Sequence, residues 1–225
     1  MSPILLRIFQ LLGLTFIQAI LLFVSAGSLN WSAAWWYIGL YVLMLALASF
    51  ILIPHRREVI EERSKGTTGA KSWDLWITRL IAIPTLGLLI LAGLDQRWNW
   101  TPSLPWWVRL LGGLAFAVGY FIVLWAMYSN QYFSQVVRIQ TERGHAAVNA
   151  GPYRIVRHPG YLGMTTSMLG AVLLLDSLWG FICFALYTAL VVIRTVLEDR
   201  TLRVELPGYA EYSTQTKHRL IPGVW

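Results

Sequence analysis

Charge is scarce in this sequence. Of its 225 residues, 13% are Asp, Glu, Lys or Arg, while 56% are hydrophobic. A soluble domain carries roughly a quarter charged residues, so the composition excludes an ordinary soluble fold and points to an integral membrane protein. Acids are the rarer sign, eleven against eighteen Lys and Arg, for a net charge of +7. Such a surplus would suit nucleic acid if it clustered on one soluble face. Here the basic residues are spread over the segments that flank apolar runs, so membrane topology accounts for them and nucleic acid is not an expected partner. Cysteine is nearly absent. Cys183 is alone, inside an apolar run, which rules out an internal disulfide and a cysteine zinc cluster. No G-x-G-x-x-G follows a strand, and there is no P-loop, no H-E-x-x-H and no serine elbow. The four histidines, His55, His145, His158 and His218, are far apart in sequence, and no metal site is expected from them.

Long apolar runs dominate what remains. The first spans about residues 4–24, and no small-residue cleavage site leads from it into a polar chain, so it reads as a helix rather than a signal peptide. A second run covers about 33–53 and is expected to end at Pro54. The polar stretch 55–79 holds six Lys and Arg, with a short surface helix expected over 58–65 and a turn at Gly66-Thr67-Thr68-Gly69. A third span is expected over about 77–94, kinked at Pro84, followed by a Trp- and Pro-rich loop over 95–105. The fourth covers about 107–128, and its Gly112, Gly113 and Gly119 suit close helix packing. The last apolar block, 161–197, is too long for one helix. Asp176-Ser177 interrupts it, so a tight helical hairpin with a short first arm is expected. Many of the twelve tryptophans sit at the ends of these runs, as in interfacial aromatic belts. The fold class is therefore an all-α polytopic membrane bundle of five to six transmembrane helices. It divides into an N-terminal four-helix region, 1–128, and a C-terminal region, 129–225, within a single domain.

Six crossings with a cytoplasmic N-terminus leave only Arg97 and Arg109 of the eighteen Lys and Arg outside, in accord with the positive-inside rule. Both termini are then cytoplasmic, and a bacterial inner membrane fits so compact a chain. The same topology puts two polar constellations on one face. One is Gly151-Pro152-Tyr153-Arg154-Ile155-Val156-Arg157-His158-Pro159-Gly160-Tyr161-Leu162-Gly163, where Pro fixes and Gly frees the backbone just before an apolar helix. It suits a polar pocket wall for an anionic or zwitterionic ligand, or a basic loop touching lipid headgroups. The other is Arg194-Thr195-Val196-Leu197-Glu198-Asp199-Arg200, in which Arg194 and Glu198 are four residues apart on one helix face. Ionisable groups at a membrane helix end that face the bundle are functional candidates. A tail with Tyr209, Tyr212, Lys217, His218 and Arg219 lies beyond.

These residues carry a resemblance. Gln140, His145 to Val148, Gly151-Pro152-Tyr153 and Arg157-His158-Pro159-Gly160-Tyr161 with Gly163, followed by Arg194, Glu198-Asp199 and the tail through Ile221-Pro222, are similar to the isoprenylcysteine carboxyl methyltransferase family and to the related phospholipid methyltransferases. The similarity spans roughly the C-terminal 90 residues. It implies S-adenosyl-L-methionine as methyl donor, held at the cytoplasmic membrane surface. By motif position the cofactor-binding residues would be Gln140, His145, Ala146, Ala147, Val148, Tyr153, His158, Pro159, Gly160, Tyr161 and Glu198. Glu198 would hold a polar or cationic part of the cofactor, and Arg194 would pair with the carboxylate or phosphate of a lipophilic acceptor, the two together forming the catalytic pair. Three departures from the family pattern stand out: the small Ala146-Ala147, Asp199 as the second acid, and a short interval between Gln140 and His145. A carboxylate acceptor comes first, with a phospholipid amine or a thiol behind it. An NADPH-dependent sterol or enone reductase shares a similar loop, and a non-enzymatic lipid-binding protein would share the spans. Membrane lipids are expected partners throughout.

Overall fold

A computed structural model describes residues 2–225. Among them are eight α-helices and no strand: α1 Pro3–Ala26, α2 Ser32–His55, α3 Arg57–Ser64, α4 Ser72–Trp98, α5 Trp106–Ser129, α6 Pro159–Leu174, α7 Gly180–Glu205 and α8 Tyr209–Gln215. Five of them, α1, α2, α4, α5 and α7, are long and apolar enough to cross a membrane. Their outward faces carry Phe16, Trp36, Phe50, Ile83 and Trp106, all exposed. A belt of large apolar side chains turned outward is stable only against lipid, and the chain is that of an integral membrane protein.

Helix ends follow local chemistry. Pro3 opens α1, where a missing N–H costs nothing, and Gly27 closes it in the left-handed conformation at φ +66°. Pro54 lies one residue inside α2, which ends at His55. α4 is longer than the apolar run alone suggests, because two acids inside it are satisfied. Near its start Asp74 is paired with Arg194 (Nε to Oδ1, 2.7 Å). Near its end Asp95 accepts from the Thr101 amide and hydroxyl, at 2.7 and 2.6 Å, and from Ser177. The helix therefore runs on to Trp98 and turns at Asn99, φ 51°; it passes through Pro84 unbroken.

The expected C-terminal hairpin is present as α6 and α7, with Asp176 at φ +61° in the turn. α6 has 16 residues, about 24 Å of helix at 1.5 Å per residue, short for a bilayer core of about 30 Å. It packs along α5. The approach is close because both helices lack side chains at the crossing. A Cβ on Gly163 would stand 2.5 Å from the Gly119 carbonyl oxygen, and one on Gly112 would stand 2.5 Å from the Leu174 nitrogen. Gly113 differs: its nearest neighbour is the tip of the Leu174 side chain at 3.8 Å, so it does not require the close approach.

The connections fall on two opposite faces. On one, Asp95 holds Thr101 and Ser177, and the Leu104 amide donates to Asp176 at 3.1 Å. On the other, Lys71 pairs with Glu205 at 2.6 Å and Glu62 with Arg138 at 2.6 Å. The second face carries the polar segments and the site.

Candidate functional site

After α5 the chain runs through residues 130–158 as irregular backbone with two short 3-10 turns, Thr141–Arg143 and Gly151–Arg154. Gly151 takes φ +55° and Pro152 follows it as the second residue of the turn, which folds the chain back under α5 and brings His158 to the start of α6. The tail then lies along this segment. The Arg157 amide donates to the His218 carbonyl and the His158 amide to that of Arg219, both at 2.9 Å. The Tyr212 hydroxyl donates to the Tyr153 carbonyl at 2.7 Å, joined by Thr216 at 3.2 Å. Burial holds the Tyr153 and Tyr209 phenols above the ordinary tyrosine range, so both remain neutral hydrogen-bonding groups.

The adjacent acids Glu198 and Asp199 point to different places, as neighbours on a helix must. Asp199, almost fully buried, faces the tail. It lies 3.3 Å from Arg157 Nε, 3.6 Å from His158 Nε2, 3.3 Å from Arg203 Nε and 3.2 Å from Arg219 Nε, and it accepts from the Tyr209 hydroxyl at 3.0 Å. It is the tie between motif, last span and tail. Glu198 faces a cavity, accepts from the Tyr161 hydroxyl, and sits 3.9 Å from His158 Nδ1. The His158 and Tyr161 rings stack with centroids 5.7 Å apart.

That cavity has a volume of about 650 Å³, within the range usual for small-molecule sites. At its polar end it is lined by His145, Ala146, Ala147, Val148, Tyr153, His158, Gly160, Tyr161 and Glu198. It continues between the spans, past Met44, Leu88, Phe116 and Met164. Two residues expected at the cofactor stand off it. Pro159 supplies the first turn of α6. Gln140 is fully buried, its amide donating to the Tyr132 carbonyl at 2.7 Å and accepting from Arg143 at 2.6 Å. Its backbone N–H reaches His145 Nδ1 at 3.2 Å, so Gln140 shapes the loop that presents His145. His145 packs on Tyr132 at 4.4 Å, and its pKa is lowered to about 4 by burial and by the charges of Arg143 and Arg138. It stands in the cavity wall as a neutral imidazole.

Arg194 has a partner that was not anticipated. Its guanidinium grips Asp74 through Nε at 2.7 Å and Nη2 at 3.1 Å, and Nη2 also donates to the Gln135 carbonyl at 2.9 Å. It lies over the Tyr161 ring at 5.3 Å. Its Nη1 makes no hydrogen bond among the described residues, and the side chain lines the cavity. Sequence reasoning also missed Glu62, treated as part of a topogenic loop. Burial alone would raise its pKa, but hydrogen bonds from Arg138 and Lys65 outweigh that and hold it below the usual range. The one sequence signal for Asp74 is an acid in the first turn of an apolar helix.

Residues 107–205 match the phospholipid methyltransferase family. Over 99 residues the chain is 28% identical to protein-S-isoprenylcysteine O-methyltransferase A of Arabidopsis thaliana, covering 44% of this chain and 46% of that protein. The matched stretch thus spans about half of the relative's length. The family match runs from α5 through α7 and includes the motif, Arg194, Glu198 and Asp199. The resemblance carried by the motif is borne out, at low identity. The segments α1–α4 and the tail from 206 onward lie outside the match, although both contribute to the cavity wall: Met44 and Leu88 from the spans, Tyr209 and Tyr212 from the tail.

Proposed function

We propose that the protein is an integral membrane methyltransferase that uses S-adenosyl-L-methionine and methylates a lipophilic acceptor, with a carboxylate, as on a prenylcysteine-like molecule, as the reacting group. The observation that carries this reading is that one continuous cavity is lined both by the motif and by the spans. Its polar end is built from the motif and Glu198, and its other end runs between apolar spans, so a charged donor and an oily acceptor meet inside one enclosure. Bound there, the cofactor supplies an electrophilic methyl group on a sulfonium sulfur.

The residues present suit that cofactor. The Glu198 carboxylate, turned into the cavity, offers a counter-charge for a cationic group. Tyr132, Phe133, Tyr153 and Tyr161 offer aromatic faces, and the neutral His145 and Asn130 offer hydrogen bonds in the same wall. Transfer to a carboxylate needs no general base, since the acceptor is already ionised at neutral pH; what the chain must supply is alignment and exclusion of water. The tail, clamped through Asp199, closes the polar end. Arg194 acts through its free Nη1, orienting an acceptor oxygen by a hydrogen bond while its net charge is balanced by Asp74. On this reading both termini and the polar end of the cavity lie on the cytoplasmic side, in a bacterial inner membrane. A phospholipid amine, the second reading, draws support from the family match, and an amine would need a base to lose its proton.

The test is calorimetric titration of detergent-purified protein with S-adenosylmethionine, with NADPH as comparator and Glu198→Ala as the variant. Micromolar binding of the first is expected. It should weaken about tenfold to a hundredfold in the variant, for loss of a charged hydrogen-bond partner worth about 1.5–3 kcal/mol. Binding of NADPH alone would make the protein a reductase, and binding of neither would favour a lipid-binding protein without catalysis.

A further inference from the structure

Cations that enter a low-dielectric cavity are normally neutralised there. Arg194 obeys this through Asp74, and Arg157 through Asp199. Two others in the same cavity wall do not. Arg7, at the start of the second turn of α1, and Arg63, near the end of α3, both line the cavity, and neither has a carboxylate within 4.0 Å among the described residues. The acids of α3 are all engaged elsewhere: Glu58 is 3.8 Å from Arg56, Glu61 is 2.9 Å from Arg57, and Glu62 holds Arg138 and Lys65. Arg7 reaches only the neutral Gln10, at 3.1 Å. Arg63 lies over the Phe133 ring at 5.4 Å, and its Nη1 is buried with no hydrogen-bond partner. Burial, and then the charge of Arg7, lower the Arg63 pKa to about 9, with Arg194 adding to the effect. That is the condition of a guanidinium awaiting an anion.

Simple snorkelling to the headgroups would leave the tip in water, and the buried Nη1 is not. The walls adjoining the pair are apolar, with Ile4, Leu11, Leu52 and Ile60. We infer that Arg63 and Arg7 form an anion subsite between α1 and α3 that takes the carboxylate or phosphate of an amphiphile whose chain lies in the apolar part of the cavity. A planar guanidinium matches both oxyanions in two-point fashion. This deepens the methyltransferase reading where that amphiphile is the acceptor, and there it rests on that reading. Anion recognition itself does not require methyl transfer.

The experiment measures binding of tritiated palmitate, palmitoyl lysophosphatidate and palmityl alcohol to the full-length protein in decyl maltoside, corrected for protein-free micelles. At least one of the two anions should bind ten times more tightly than the alcohol, and the better of them identifies carboxylate or phosphate as the group preferred. Arg63→Gln and Arg7→Gln should each weaken the anion at least tenfold and leave the alcohol within twofold, which also shows that the cavity has stayed intact. Arg63→Lys should recover part of the loss. Equal binding of alcohol and anions, or anion binding indifferent to Arg63→Gln, would overturn the subsite. S-adenosylmethionine titration of the same preparations separates the two ideas. Donor binding without anion discrimination sinks the subsite alone, and anion discrimination without donor binding sinks the methyltransferase reading alone.

Discussion

Arg194 and Asp74 lie 120 residues apart in sequence, yet each is the other's only charged partner within 4.0 Å among the described residues. Asp74 is completely buried, and its second oxygen also takes the Val137 amide at 2.7 Å. One carboxylate therefore fixes the start of α4, the loop after α5 and the last turns of α7 that carry the site. Removing one member of a buried pair leaves the other charge uncompensated and typically costs about 3–5 kcal/mol, whereas removing both is milder. Asp74→Asn keeps the size and one acceptor oxygen but discards the charge. It is expected to lower the unfolding midpoint in detergent by an amount on that scale, and adding Arg194→Met should recover part of the loss. A variant as stable as the parent would mean that the pair is solvated in the membrane-embedded protein and that Arg194 is free to meet an anion by itself. The sequence offered Arg194 and Glu198 as two faces of one helix, which was enough to find the helix and its polar end. It could not offer Asp74, because a long-range ion pair leaves no local periodicity to read.

At the scale of elements, the spans were legible because apolar length is a local property, and the errors were confined to ends. Those errors have a common cause. α4 begins before and ends after its apolar run because Asp74 and Asp95 find partners on other segments, so polar residues that look like loop are carried inside the helix. The glycines of α5 were legible as packing residues only as a group, since sequence does not say which of two adjacent glycines faces the neighbour. In the structure Gly112 is pressed against the α6 backbone, whereas Gly113 meets only the tip of the Leu174 side chain at 3.8 Å. That contrast supplies a matched test. Gly163→Ala forces a methyl group to within 2.5 Å of the Gly119 carbonyl, where only backbone movement can relieve it. Overpacking of that kind costs about 1–3 kcal/mol. Gly113→Ala has ordinary room, 3.8 Å to the nearest atom, and gains helix propensity. Thermal unfolding of the two variants should place Gly163→Ala well below the parent and Gly113→Ala at or above it. Equal behaviour would mean that α5 and α6 do not pack this closely.

For the whole molecule parity is decisive, because the side on which the tail lies determines whether motif, Glu198 and tail belong to one aqueous face. Composition supports five spans, and five would place the two termini on opposite sides. The contacts support six crossings. Residues 99–105 meet the α6–α7 turn, through Leu104 with Asp176 and through Thr101 with the Leu178 amide at 3.1 Å, while residues 130–158 meet the tail at His218 and Arg219. α6 must then run from one face to the other despite its 16 residues, with the membrane thinned or the helix ends bathed by headgroups at that point. Impermeant maleimide labelling checks this directly. With Cys183→Ala as background, Ser103→Cys should react from the outside of intact cells, and Lys217→Cys should react only after permeabilisation. Reaction of both from the same side would leave α6 as an embedded helix that does not cross. The tail and the end of α7 would then be cut off from the motif, and the Asp199 contacts with Arg157 and His158 could not exist.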